Sequence, residues 1–381
     1  MSLILTVAIA VTLLTSLILA MRWRKIPCHG EIPVSFFTFI AILFTSGLDV
    51  GLIMFPLVDF EVFASDEVYD FASPLAIEFG FWGFLVWGFY FLTTFYFCIV
   101  EPRVKLFAIP AIKFVNNLVI IATCAFTAFL FLSYLPDYVQ GISDGVRYTL
   151  VGVVILCATL SSTDIKYVEI LSVASTWLFF ALIVGVWLNS GMGVFGLANT
   201  MEGLGGYFSN IHRFVTPVTD YHQFYLYWWF AWSIMIGQFV ARFVGGISVG
   251  RLLLALLIVP SIPIAIWFSV LYYYFSNGIE IGPNWRMAMV VVGVIFVINS
   301  LDSLIRLYTQ NLQLSPDLVG KKRYVIGNWL ALSALVLLYQ YTPLKIEWIG
   351  LIVVGLYLSV YILVFLRREL LTPLTDAEAL S

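Results

Sequence analysis

The residues with chemistry to offer are few, and they sit in apolar surroundings. Asp49 lies within Ser46-Gly47-Leu48-Asp49-Val50-Gly51, inside an otherwise hydrophobic run. A carboxylate in such a place is costly unless it faces water or a partner, and the glycines around it weaken a helix. Two readings follow. The run is a discontinuous helix of the kind that builds transporter binding sites at mid-depth, or it is a helix end with Asp49 pointing at water. Asn299, Ser300, Asp302 and Ser303 form a second polar cluster. Oxygens at that density suit a hard cation such as sodium, while Ser and Asn also serve as ordinary glue between membrane helices. The third feature is aromatic: Trp82, Trp87 and Tyr90 in one run, Trp228, Trp229 and Trp232 in another. Trp87 and Tyr90 are three apart on one helical face, and Trp229 and Trp232 repeat that spacing. Two facing ladders would enclose a quaternary ammonium, each well-placed ring adding roughly 0.5–2 kcal/mol. An interfacial belt or simple packing accounts for the same residues.

Other chemistry has little to stand on. The four cysteines (Cys28, Cys98, Cys124, Cys157) show no CxxC spacing, and the three histidines (His29, His212, His222) form no HExxH or Cys/His cluster. The cysteines read as small packing residues, and metal catalysis has almost no support. No nucleophile–base pair or nucleotide loop can be assembled, so an enzyme is a poor reading.

These residues need elements to hold them, and composition says which. The chain has 381 residues, 62% hydrophobic and 11% charged, with a mean hydropathy of +1.00. A soluble domain is roughly 45–50% apolar and about 25% charged. A net charge of −3 excludes a basic footprint for nucleic acid. The chain reads as an all-α polytopic membrane protein, because lipid offers the backbone no hydrogen-bond partners. No period-2 alternation supports a β-barrel. Runs of about 20 apolar residues number eleven: near 3–22, 34–56, 76–99, 109–135, 146–161, 167–189, 222–243, 251–275, 286–308, 324–342 and 346–366.

The first run lacks a positive leading region and is followed by Arg22, Arg24 and Lys25, the wrong flank for a signal peptide. It reads as a retained helix with its N-terminus outside. Alternating the spans from there puts most Lys and Arg inside, leaving Arg147, Arg213, Arg286 and Lys345 outside or near the outer ends. The C-terminus falls inside. Asp59, Glu61, Asp66, Glu67 and Asp70 fall in an outer acidic loop. The Gly-rich stretch 190–221 reads as an extramembrane connector whose Phe208, Ile211 and Phe214 would lie at the interface. With no nucleotide site, energy would come from an ion gradient.

Phe224-Tyr225-Leu226-Tyr227-Trp228-Trp229-Phe230-Ala231-Trp232-Ser233, with Phe81 to Tyr90, Gly47 to Gly51 and Phe296 to Ser303, resemble segments of the betaine–choline–carnitine transporter (BCCT) family. Its hallmark helix is approximately F-Y-W-A-W-W-I-S-W-S-P-F-V-G-M-F-L-A-R, and residues 224–242 are F-Y-L-Y-W-W-F-A-W-S-I-M-I-G-Q-F-V-A-R. Val259-Pro260-Ser261 and Trp267-Phe268 resemble the family's V-P-S and W-F. Phe81 to Tyr90 resembles H-W-x-x-H-P-W-A-I-Y, and Gly47 to Gly51 resembles G-M-G-I-G. Phe296 to Ser303 resembles F-F-I-T-S-A-D-S, Ala122 to Thr127 resembles A-T-V-F-G-T, and Leu204 to Asn210 resembles I-G-N-Y-L-S-N. The matches run in order over about residues 15–365.

The resemblance implies a shortened, divergent member with the LeuT-like inverted-repeat (5+5) fold. Residues 1–25 would be an extra N-terminal helix, 26–189 the first repeat, 190–221 the connector, and 222–381 the second repeat with a short cytoplasmic tail. It further implies that Trp82, Trp87, Tyr90 and Trp229 cage an ammonium, with Trp228 and Trp232 lining the adjoining pathway. Thr45 and Leu48 carbonyls with Asn299 and Ser300 side chains would form one sodium site, while Thr123, Thr127 and Phe296 would mark a second. The departures are specific. Asp49 replaces the family's central glycine, Leu226 a tryptophan, Ile234 a proline, and Asn299 a common sodium-liganding threonine. Asp49 next to an onium substrate makes protons a candidate coupling ion and favours choline, which has no carboxylate of its own.

The expected function is osmoprotective symport of choline, glycine betaine, carnitine or a related onium solute across a bacterial inner membrane, driven by protons or sodium, with no cofactor beyond that ion. The runner-up is a membrane subunit or sensor that kept the fold and lost transport. Family members are often trimeric, so a homotrimer is the implied assembly.

Overall fold

The computed structural model describes residues 2–48 and 51–371. Helices account for nearly all of it. In chain order they are α1 (Ser2–Arg22), α2 (Phe36–Gly47), α3 (Gly51–Met54), α4 (Pro56–Ser65), α5 (Pro74–Trp82), α6 (Leu85–Phe95), α7 (Glu101–Val104), α8 (Pro110–Tyr138), α9 (Asp144–Ser161) and α10 (Lys166–Asn189). Then come α11 (Val194–Glu202), α12 (Gly205–Ser209), α13 (Asp220–Val240), α14 (Val249–Ile258), α15 (Ser261–Ser276), α16 (Pro283–Asn311), α17 (Pro316–Val319), α18 (Lys321–Tyr341) and α19 (Ile346–Leu366). Local sequence explains many starts. Ser35 and Ser73 accept hydrogen bonds from the N–H groups of Thr38 and Ala76, and Thr219 does the same for His222. Pro74, Pro110 and Pro283 occupy first-turn positions, where a missing N–H costs nothing.

Among the described residues, nine helical segments are long and apolar enough to cross a membrane. The shorter α2 and the aromatic-rich α13 fall outside that count. α13 is nonetheless buried along nearly its whole length, packed by α6, α8, α19 and α2. α16 is its counterpart, packed by α8, α9, α10 and α2. Rows of exposed leucines and isoleucines on α1, α18 and α19 face outward, as lipid requires.

Three of the expected spans are broken. α2 ends at Gly47, Leu48 is extended (φ −122°, ψ 152°), and helix resumes at Gly51. The run 76–99 breaks at Gly83–Phe84, where Phe84 takes φ +49°, and ends in a π-helical turn over Tyr96–Val100. The run 251–275 breaks at Val259–Pro260, where proline cannot donate to the ladder.

Two short strands lie outside the helical plan. β1 (Pro27–His29) pairs antiparallel with β2 (Gly245–Ser248), with Cys28 opposite Ile247. Further main-chain bonds extend the join: Gly30 N–H to Val244 O (2.9 Å), Ile32 N–H to Arg242 O (2.7 Å) and Val249 N–H to Ile26 O (2.9 Å). Gly30 permits it, since a Cβ there would lie 2.3 Å from Arg242 O. The connector 190–221 also differs from expectation. Phe195 of α11 is 87% exposed, but Phe214 turns inward against Phe71, Phe81 and Tyr207. Gly80 makes the room for it, because a Cβ there would strike the Phe214 ring.

Candidate binding and coupling sites

α13 is the axis along which the notable side chains are arranged. Tyr221 and Tyr225 mark its first turns, Trp228 and Trp229 its middle, and Gln238 its last turn. At about 1.5 Å per residue, these lie at well-separated depths.

The aromatic cluster occupies the middle. Trp229 meets the Trp82 ring edge to face at 5.2 Å and the Tyr90 ring at 6.3 Å, and Trp87 meets Tyr90 at 5.2 Å. Trp228 stacks on Trp229 at 5.2 Å with 12° between planes, and also meets Trp82 at 5.5 Å. The rings of Trp82, Trp87, Tyr90 and Trp229 are thus brought together in one buried group. The partner of Trp229 is its neighbour Trp228, and Trp232 makes no ring contact among the described residues. The indole N–H groups of Trp82, Trp87, Trp228 and Trp232 are buried without acceptors, whereas that of Trp229 donates to Phe81 O at 2.7 Å.

The cluster sits at the helix breaks, and side chains answer the backbone groups those breaks release. Tyr90 donates to Gly47 O (2.8 Å) and Trp267 to Leu52 O (3.1 Å). Tyr138 donates to Met54 O. At the second break, Phe84 N–H donates to Ser261 Oγ (3.0 Å) and Leu85 N–H to the Tyr207 hydroxyl (3.4 Å). Gly47 allows the approach of Tyr90, whose ring would stand 3.3 Å from any Cβ there.

An oxygen cluster lies beside the first break. The Ser300 hydroxyl is within hydrogen-bond reach of Thr45 O (3.2 Å) and Leu48 O (3.0 Å). Asn299 bonds the Thr45 hydroxyl and, at 3.2 Å, Ser172 Oγ. Thr45, Leu48, Asn299 and Ser300 therefore converge, and Ser172 of α10 joins them without any sequence signal. Two carbonyls and the Ser300 and Thr45 hydroxyls are hard oxygen donors of the kind sodium takes, while Asn299 turns its NH2 group toward Thr45 and Ser172. The rest of the expected polar cluster points elsewhere. Asp302 pairs with Arg306 at 3.0 Å, and Ser303 bonds Ser46 at 2.8 Å. Thr123 and Thr127 spend their hydroxyls on Val119 O and Thr123 O within α8, while Phe296 packs with Phe44 and Phe179. Asp49 lies outside the described residues.

Two carboxylates that sequence reasoning passed over meet at the Tyr221 end. Asp59 of α4 is not in an outer loop. It is 1% exposed and accepts from Tyr221 and Tyr225, each at 2.8 Å. Glu78 of α5 is fully buried beside it. The signal was a lone charge in Leu75-Ala76-Ile77-Glu78-Phe79, since an ionisable group in an apolar span is by default a candidate. At the opposite end a cavity of about 780 Å³ is lined by polar and charged groups including His29, Lys105, Lys113, Gln238, Arg242 and Gln310.

Comparison with known proteins adds the following. Residues 2–275 match the family described as BCCT, betaine/carnitine/choline family transporter. An ectoine/hydroxyectoine transporter of Virgibacillus pantothenticus is 27% identical over 65% of this chain and 58% of its own. A glycine betaine/proline/choline transporter of Vibrio parahaemolyticus is 28% identical over 35% of this chain and 26% of its own. A glycine betaine transporter of Acinetobacter baylyi is 22% identical over 64% of this chain and 43% of its own. The chain thus spans little more than half the length of these curated relatives at most. A Na+-coupled sialic acid symporter, solved in a substrate-bound outward-open state, aligns with a TM-score of 0.51 at 16% identity, covering 93% of this chain and 84% of that one. At that identity the likeness concerns the fold alone, an all-α inverted-repeat transporter architecture.

Proposed function

The chain belongs to the betaine/carnitine/choline transporter family, and from that premise we propose that it is a multi-pass secondary transporter of betaine-like onium solutes. The observation that carries the reading is the buried group of Trp82, Trp87, Tyr90, Trp228 and Trp229 at two helix breaks. Aromatic faces attract an ammonium that carries no N–H to hydrogen-bond. The rings now contact one another, edge to face around Trp82 and Tyr90 and stacked between Trp228 and Trp229, so a substrate enters only as α5 and α13 separate. A binding site whose walls close on each other is what alternating access requires.

The substrates favoured by this chemistry are choline, glycine betaine, carnitine and ectoine-like zwitterions. A similar relative transports ectoine and hydroxyectoine by its description, which supports including that class. For coupling, the oxygens around Ser300 support sodium, and the fold relative described as Na+-coupled is consistent with it. Asp49 remains a proton candidate from its place in the broken segment. The two-repeat division at 190–221, the bacterial inner-membrane location with the N-terminus outside, and the homotrimer belong to the same proposal.

Uptake of labelled choline, glycine betaine and ectoine into proteoliposomes, with sodium and proton gradients imposed separately, tests it. Uptake driven by one gradient and abolished by its collapse is expected. Failure of every solute to bind or enter would overturn the reading in favour of a non-transporting relative.

A further inference from the structure

We propose that Asp59 and Glu78 form one proton-binding site, holding a single proton between two carboxyl groups beside the aromatic cluster. Asp59 has both oxygens occupied, by Tyr221 and by Tyr225. Glu78 lies beside the Asp59 carboxyl and the Trp82 indole, yet neither of its oxygens has a hydrogen-bond partner. The Trp82 N–H beside it is buried and unpartnered as well. Ionised carboxylates are acceptors only, so two of them side by side lack a donor. Two like charges in one dry site cannot both persist. A proton supplies the missing donor and removes one charge.

The surroundings assign that proton to Glu78. Asp59 receives two phenol hydrogen bonds, which stabilise its ionised form, whereas Glu78 has, among the described residues, the single Trp82 indole N–H beside it. The other titratable groups facing the pair do not replace the proton. From α13, His222 accepts the Val218 N–H at Nδ1 and stacks on Phe81 at 4.4 Å, so its ring is neutral in this arrangement. α8 contributes Tyr134, Asp137 and Tyr138, and the turn before α5 contributes Tyr69 with Asp66 behind it. Tyr207 of α12 is engaged with Leu85 N–H, and Tyr272 of α15 packs on Phe60. The cations nearby are Arg286, which bears on Tyr138, and Arg213, which lies over the Phe71 ring. None of the ion pairs among the described residues includes Asp59 or Glu78.

The site joins separate elements. Asp59 belongs to the second half of the broken α2–α4 segment, its tyrosines to α13, and Glu78 stands one turn from Trp82. Loss of the proton places a second negative charge next to the cluster, which would draw in an organic cation. Proton and substrate are then linked, each altering the other's affinity by the same factor. This linkage rests on the transport reading, whereas the proton site itself does not.

Infrared titration of the full-length protein in nanodiscs, without substrate, tests the site. The expected result is a protonated-carboxyl C=O band that titrates with pH, disappears in Glu78→Gln and is unaffected by exchanging sodium for potassium. Tyr225→Phe provides a milder variant. Removing a donor to ionised Asp59 should raise the titration midpoint by about one pH unit, a tenfold gain in proton affinity. A band unchanged in both variants overturns the proposal, and a band abolished by sodium assigns the site to a metal cation instead. Because no substrate is present, either failure leaves the transport reading untouched, and a protein that binds no onium solute can still pass this test.

Discussion

On the proposed reading, single side chains carry the recognition. Trp229 is held by its N–H bond to Phe81 O and presents its ring to Trp82, Tyr90 and Trp228. Trp229→Ala should weaken betaine or choline binding by about 1–2 kcal/mol, and Trp229→Phe by less, because a π-face survives. Titration calorimetry reads the difference, and equal losses would argue for packing alone. Ser300→Ala tests the oxygen cluster. It should reduce sodium-dependent affinity while leaving pH dependence intact, as measured by substrate binding across a sodium series. The aromatic residues were legible in the sequence because tryptophan is uncommon and its helical spacing is informative. Asp59 was not, because Glu61, Asp66, Glu67 and Asp70 follow it and the group reads as one solvated loop. Its burial comes from tyrosines on α13, about 160 residues away, which no local pattern reveals.

At the scale of elements, the spans were legible from hydropathy, and the breaks only where glycine or proline marks them, as Pro260 does the third. Gly47 and Gly51 announce the first. The second rests on Phe84 at φ +49°, a conformation no residue type near it advertises. It persists because Ser261 and Tyr207 receive the freed N–H groups. Ser261→Ala should therefore cost about 1–3 kcal/mol by leaving the Phe84 N–H buried and unpaired. Helix contacts give a second expectation. A Cβ on Gly350 would stand 2.4 Å from Tyr227 O, so α19 touches the α13 backbone directly. Gly350→Ala should push the two apart and destabilise the fold by about 1–3 kcal/mol. Thermal unfolding in detergent measures both, and unchanged midpoints would show that the helices readjust freely.

For the whole molecule, the cavity past the last turn of α13 and the buried carboxylates at its start make the two ends unlike. The end lined by Lys113 and Arg242 is open, and the end at Asp59 is packed shut. In a Cys157→Ser background, Lys113→Cys should react with a membrane-impermeant maleimide in vesicles of one orientation, and bound substrate should change that rate severalfold. A rate indifferent to substrate would mean this end does not gate. The β1–β2 join was beyond sequence reasoning, since two strands of three and four residues pair across more than 200 positions of chain. Its consequence is kinematic. The chain leading into α2 is fastened by main-chain bonds to the chain leaving α13, so the two helices are levers on a common pivot. Neither can swing at this end without carrying the other, and opening there has one degree of freedom rather than two. Spin labels on α2 and α13 near the pivot should hold a constant separation while both move against α8.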